Sequence, residues 1–363
     1  MGNSPVKQGR DRVAGVASTR QIVVALALAV GLLAVRPQGA AAAASSASSD
    51  VAVATSSASF AQNGVVWTKL GSPMSVWFEA LPGGYVATST SCWDETIPTV
   101  YTSRDGIHWT TPPDPRIFAS SDEGFCLTTY KPARGPVGYL LAGRVTDGAT
   151  TIWQSSDGIQ WTRNAVPSLD GTDLSEIAPT RTGYLAADSS HDNYWTSTDG
   201  VSWTPAAFDA FKLETGQPGE PMLAGGEGGF SWFSLDGGRT WAQTGVPKGM
   251  KLLEGVARLG KVYYGDWEIG GTFKIYSTRD MQHWAPAKGP GTMPGSIVAF
   301  GNRLYVVSYG DTLTGDVYSS ADGRKWSPVK DRTGHAIQAN ALEVVGGRLF
   351  VLDGAILWVA SLR

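Results

Sequence analysis

SRDGIHW (103–109), SSDGIQW (155–161), STDGVSW (197–203), SLDGGRTW (234–241), TRDMQHW (278–284) and SADGRKW (320–326) are six writings of one phrase. A seventh stretch, AQNGVVW (61–67), is a degenerate copy. The closing tryptophans, Trp67, Trp109, Trp161, Trp203, Trp241, Trp284 and Trp326, are spaced by 42, 52, 42, 38, 43 and 42 residues. Upstream of the six full copies lies an aromatic, Tyr101, Trp153, Trp195, Trp232, Tyr276 or Tyr318, in a run of alternating pattern. This is a strand entering a tight Asp-Gly turn: glycine takes positive φ, and aspartate bonds nearby backbone N–H groups. The tryptophan opens the next strand and packs over the turn. Two more short strands precede each phrase, as in GNRLYVVSYG (301–310) or GGRLFVLDG (346–354).

Four strands repeating near every 42 residues make the blade of a β-propeller. The ends of the chain complete the count. AILWVASLR (355–363) places Trp358 at the strand-three aromatic position, but no turn phrase follows; VVWTKL (65–70) is a fourth strand without its first three. Joined, they form one blade, which removes exposed sheet edges. The expected fold is all-β: a seven-bladed propeller over 60–363 with four-stranded antiparallel blades, the N-terminal strand completing the C-terminal blade.

S-x-D-G-x-x-W resembles the Asp-box, or BNR repeat, of the sialidase-like propeller superfamily, and the copies cover the whole chain beyond its leader. That resemblance implies that the boxes are folding motifs at the outer rim, away from the usual active face. Asp105, Asp157, Asp199, Asp236, Asp280 and Asp322 are therefore read as structural, with Trp109, Trp161, Trp203, Trp241, Trp284 and Trp326. It also implies that function sits on the loops joining strands two and three and on those joining one blade to the next. Sialidase-like enzymes use an arginine trio, a Tyr nucleophile with a Glu partner and an Asp acid/base, an exception to the two-carboxylate rule.

Composition agrees with a turn-rich β protein: 17% charged residues, 45 Gly and 14 Trp. The formal net charge is −3, and the first 40 residues are basic, so the remainder is more acidic than the whole. Such a chain lacks the electrostatic footprint of a nucleic-acid binder. Lys7, Arg10, Arg12 and Arg20 precede the apolar run Ile22–Val35, and RPQGAAAAASSASS follows. Basic flank, short apolar core and small-residue zone read as a secretory signal over 1–44. Residues 45–59, rich in Ser and Ala, read as a flexible leader. An uncleaved anchor is the rival, but the run spans only about 21 Å against a core of roughly 30 Å. The expected destination is secreted, cell-envelope or periplasmic, with no membrane contact after cleavage. Cys92 and Cys126 are the only cysteines; they form either one disulfide, which export allows, or two free thiols.

Candidate chemistry is sparse. Glu176 and Glu254 each precede the next strand by the same spacing, which places them at one level of the inner strands. They are either an acid–base pair or polar linings of a watery channel. Arg116, Arg144 and Arg332 are the candidate anion-reading arginines, and Tyr309 the candidate nucleophile. Ligand-binding candidates on the loops are Trp93, Asp94, Glu95, His191, Trp267, Glu268 and Asp311. Exposed tryptophans suit a sugar or protein platform, though they could equally pack between blades. His191 with Asp188 and Asp192 is the one local His/carboxylate cluster, too small for a metal assignment. His108 and His283 fall inside turn phrases. No P-loop, G-x-S-x-G or H-E-x-x-H is present, so no cofactor is expected. The sequence thus points to a monomeric, non-catalytic module binding a glycan, cell-envelope polymer or protein; the alternative is a divergent exo-glycosidase of the sialidase type.

Overall fold

The computed structural model describes residues 59–363 apart from 72–75, 82, 90–98, 111–124, 128–131, 146–149, 159, 170, 190–192, 207–211, 216–219, 227–228, 246–249, 292, 311–313 and 354–355. The proposed signal, 1–44, and the leader up to residue 58 therefore lie outside the described residues, while Ser59, the last residue of the leader, is described. What is described is almost wholly β: seven antiparallel sheets and one short 3-10 turn, Pro167–Leu169. The sheets are the seven blades in chain order: 76–110, 125–165, 174–205, 212–243, 250–286, 293–339, and 341–362 joined by 59–71.

Blade 3 shows the plan. Leu174–Pro179, Tyr184–Asp188, Tyr194–Ser197 and Thr204–Pro205 form a simple antiparallel meander. The outer strand is two residues long and carries a proline, as do Ala285–Pro286 and Ser327–Pro328. Proline removes a ladder donor, so these short outer edges offer little to a foreign strand. A meander also puts the one-to-two and three-to-four hairpins at one end of the ring. The two-to-three loops and interblade connections fall at the other. We call these the turn end and the loop end.

The seventh blade is closed from the N-terminal side. Val65–Gly71 pairs antiparallel with Ile356–Leu362, with Trp67 opposite Ala360 and Lys69 opposite Trp358. The closure is wider than expected, because Ser59–Gln62 adds a fifth strand outside Val65–Gly71. This corrects the reading of AQNGVVW. Its turn, with Asn63 at φ 56° and Gly64 at φ 79°, joins the two N-terminal strands and is not a three-to-four hairpin. Two successive positive-φ residues make the turn that best matches strand twist, which is why an Asn-Gly step mimics the repeat.

The true repeat turns share one bonding scheme, except that the Trp326 indole donates to Lys288 O at 2.7 Å and not within its own turn. In blade 3, Gly200 N donates to Ser197 Oγ at 2.8 Å. The amides of Val201 and Ser202 donate to Asp199 Oδ1 at 2.8 and 2.7 Å, and the Trp203 indole N–H to Gly200 O at 3.2 Å. The same contacts recur around Asp105 and Asp280.

These turns also stack the blades. A Cβ added at Gly200 would strike Leu140 of blade 2, and at Gly158 Leu81 of blade 1. At Gly106 it would press on Phe350 of blade 7, so the contact runs round the ring to its seam. Blade 5 replaces this glycine with Met281, held at φ 62° and fully buried beside Leu223 of blade 4. There the side chain itself fills the space between blades, which offsets the strain of a left-handed non-glycine residue.

Candidate functional site

The carboxylates of the repeat turns are held by groups of their own turns. Asp199 is held down to about 2, chiefly by the N–H groups of Ser202 and Val201. At Asp280 the His283 side chain is the largest cause of a lowered value, followed by the His283 amide. His283 Nδ1 lies 2.8 Å from Asp280 Oδ2, and His108 Nδ1 lies 2.7 Å from Asp105 Oδ2. Both imidazoles are exposed and act as turn clasps. For Asp105, burial works upward, but bonds from His108, Ile107 and Ser103 together win and the value falls.

At the loop end several expectations change. Trp267 is not a loop platform: it lies in the strand Val262–Ile269, fully buried, with its ring edge-on to Trp284 at 5.0 Å. Glu268 is the next residue of that strand, half-buried and paired with Phe273 and Lys251. The loop expected over 266–271 shrinks to the turn Gly270-Gly271. DWEIGGTF reads as a loop because Asp, Glu and Gly are poor strand formers, yet cross-strand packing overrides propensity here.

Tyr309 ends the strand Arg303–Tyr309, and its hydroxyl donates to Asn340 O at 2.6 Å. The candidate nucleophile is thus spent on a bond between blades 6 and 7. Other hydroxyls near this end are also bonded to carbonyls, within a blade or between blades. Ser175 donates to Asp188 O at 3.0 Å and Ser296 to Leu342 O at 3.2 Å. Thr150 Oγ lies 2.7 Å from both Leu169 O and Thr172 O, tying down the connection between blades 2 and 3.

Glu176 pairs with Ala187 next to a bulge, but Glu254 falls inside the irregular stretch between Leu252 and Val256. A bulge inserts unpaired residues and re-aims them. It therefore breaks the count on which the equal level of the two glutamates rested.

The three arginines are not gathered by what is described. Arg332 is exposed on the hairpin 330–336. The base of that hairpin meets the outermost strand of blade 7, Lys330 N donating to Gln62 Oε1 at 3.2 Å. Arg144 ends the strand Gly138–Val145, where it pairs with Cys126 and Thr150. Arg116, Cys92, Trp93, Asp94, Glu95, His191 and Asp311 lie outside the described residues, so the Cys92–Cys126 pairing does too. At the edges of the 190–192 segment, the Asp188 carboxylate accepts a hydrogen bond from the Asn193 side-chain amide at 2.7 Å.

The sequence reading missed one recurring residue. Gly-Tyr opens the second strand at 84–85, 138–139 and 183–184. A Cβ on Gly84, Gly138 or Gly183 would run into the carbonyl of Ser103, Ser155 or Ser197, so glycine is required. The tyrosine then reaches the preceding blade. Tyr85 donates to Gly346 O at 3.0 Å, Tyr139 to Ala80 O at 2.8 Å and Tyr184 to Gly138 O at 2.9 Å. Burial pushes Tyr184 up to about 12, so it stays a donor at any working pH. The repeated Gly-Tyr step was the available signal.

No family model and no curated protein matches the chain. Solved structures do. YCF48 from Cyanidioschyzon merolae is 13% identical, with a TM-score of 0.51, over 81% of this chain and 98% of that one. A structure described as YCF48 bound to D1 peptide is 13% identical, with a TM-score of 0.52, over 85% and 98%. Virginiamycin B lyase from Staphylococcus aureus is 10% identical, with a TM-score of 0.51, over 82% and 100%. The likeness is one of fold, and it agrees with the seven sheets: this chain is an all-β, seven-bladed β-propeller.

Proposed function

We propose that this chain is an exported, non-catalytic Asp-box propeller of the sialidase-like type that binds a protein partner at its loop end. The observation that carries the reading is the bonding of Tyr309, Ser175 and Ser296 to carbonyls. Hydroxyls that could attack a substrate are used to brace the strand and loop ends. A braced rim presents variable loops rigidly, which lowers the ordering cost of binding. The peptide-bound propeller of the same fold supports a polypeptide as the partner class. The basic and apolar leader supports export, and an oxidising compartment would close Cys92 to Cys126.

The test is a cross-linking pull-down from the cell envelope of the source organism, run beside a fluorogenic glycoside panel. Capture of one defined protein, lost when 311–313 and 354–355 are replaced by glycine-serine, is the expected result. Glycoside turnover abolished by Tyr309→Phe would sink the reading and install the exo-glycosidase alternative.

A further inference from the structure

We infer that the turn end carries a binding cleft for a neutral saccharide, between blades 3 and 4. A cavity of about 500 Å³ opens there, walled by the outer half of blade 3 and by the repeat turn of blade 4. Its walls differ in two ways from those of the three preceding junctions. Tyr184 pairs with the turn serine Ser197, and its hydroxyl spans the junction between blades 2 and 3. The residue in that register of blade 4, opposite Ser234, is Met222, which has no hydroxyl to span the next junction. The blade 4 turn also holds one extra residue, with Gly237 and Gly238 both at positive φ. Its tryptophan, Trp241, is pinned by an indole bond to Gly238 O at 3.1 Å yet stays half-buried. Trp109, Trp161 and Trp203, in the three preceding blades, are only 5%, 8% and 5% exposed, whereas Trp284 and Trp326 are half-buried like Trp241.

The lining mixes hydroxyls with apolar surface from Tyr184, Leu185, Ala206 and Trp241. Hydroxyls come from Thr180, Thr182, Thr196, Thr198, Ser202 and Thr204, and the indole from Trp241; among the described residues no charged side chain lines the cleft. Thr196 and Thr204 hydroxyls sit 3.3 Å apart, a ready donor–acceptor pair. Each hydroxyl both donates and accepts, which matches the hydroxyls of a sugar ring. The indole face takes the ring's C–H face. None of the lining residues is a cation that would pair with an anionic ligand, although the exposed Arg181, whose amide donates to Gly237 O at 2.8 Å, stands between Thr180 and Thr182. An extended peptide would need an edge to pair with, and the edge here is Thr204–Pro205, two residues ending in a proline. The neutral saccharide is the occupant that the lining favours, and this site is independent of the loop end.

Saturation-transfer NMR on the full chain tests it. The neutral probes are cellopentaose, xylopentaose and mannopentaose; the charged probes are sialyllactose and a galacturonate oligomer. At least one neutral probe is expected to bind. The double variant Thr182→Val/Thr198→Val, at exposed positions, should weaken it about tenfold with an unchanged melting temperature. A second variant, Thr204→Lys, should block the cleft outright. Absence of transfer from all three neutral probes, equal binding of the charged ones, or an affinity indifferent to both variants would overturn the inference.

Discussion

The two ends of this ring obey different rules. At the turn end the same serine, aspartate, glycine and tryptophan are written again and again, and each copy both closes a hairpin and docks on the blade before it. Among the described residues the loop-end connections differ from one another. One is a bare Gly270-Gly271 turn, another is clasped by Asp188 and Asn193, and a third is tied by Thr150 to Leu169 O and Thr172 O. The lesson is a division of labour imposed by topology. An antiparallel meander puts alternate hairpins at opposite ends, so one end can be fixed by chemistry while the other varies.

The sharpest way to break that contrast is at the seam. Trp67 is 1% exposed, stacked 6.1 Å from Phe60 and edge-on to Tyr305 at 5.9 Å. Trp67→Ala should cost about 3–5 kcal/mol in urea unfolding. A cost below that of a loop-end variant would mean the ring does not depend on its closure.

Met281 gives the next largest effect. Met281→Ala leaves a left-handed residue and empties a filled space between blades 4 and 5, for a loss of about 2–4 kcal/mol. Gly271→Ala makes the matching change at the loop end, where a Cβ meets nothing within 4 Å. It should cost only about 1 kcal/mol of backbone strain, and a calorimetric melt separates the two.

The turn carboxylates predict an acid sensitivity. Asp199→Ala removes the acceptor for two backbone amides and should cost about 1–2 kcal/mol at neutral pH. The folded value of Asp199, about 2, lies below its ordinary 3.8. The stabilisation is therefore complete above 3.8 and lost as pH falls through 2. Asp236, Asp280 and Asp322 shift the same way. The wild-type melting temperature should drop between pH 4 and pH 2, and the drop should shrink in Asp199→Ala. Smallest of all, Tyr309→Phe should cost about 1 kcal/mol and leave partner capture intact.

How much was legible follows the same division. The turn phrase named the blade, the count and the seam, because its residues are fixed by hydrogen bonds that a sequence pattern records. Met281 could not be read as a turn residue that packs between blades, since nothing local distinguishes it from a lost glycine. Trp267 was misplaced because a strand interior of Asp, Glu and Gly looks like a loop until its partner strands are known. Glu254 was mislevelled because a bulge changes the count without marking the sequence. The cleft beside Trp241 needed three-dimensional comparison of junctions, although its two differences from the preceding ones, Met222 and an extra glycine, are both visible in the chain.

One consequence of the seam concerns synthesis. The N-terminal strands of the ring, Ser59–Gln62 and Val65–Gly71, can find their partner Ile356–Leu362 only after the six intervening blades have emerged. Until then they wait as an unmatched pair while the middle blades assemble behind them. A product cut short by even one strand would keep six well-formed sheets and an open gap, ready to be filled by the same segment of a neighbouring chain.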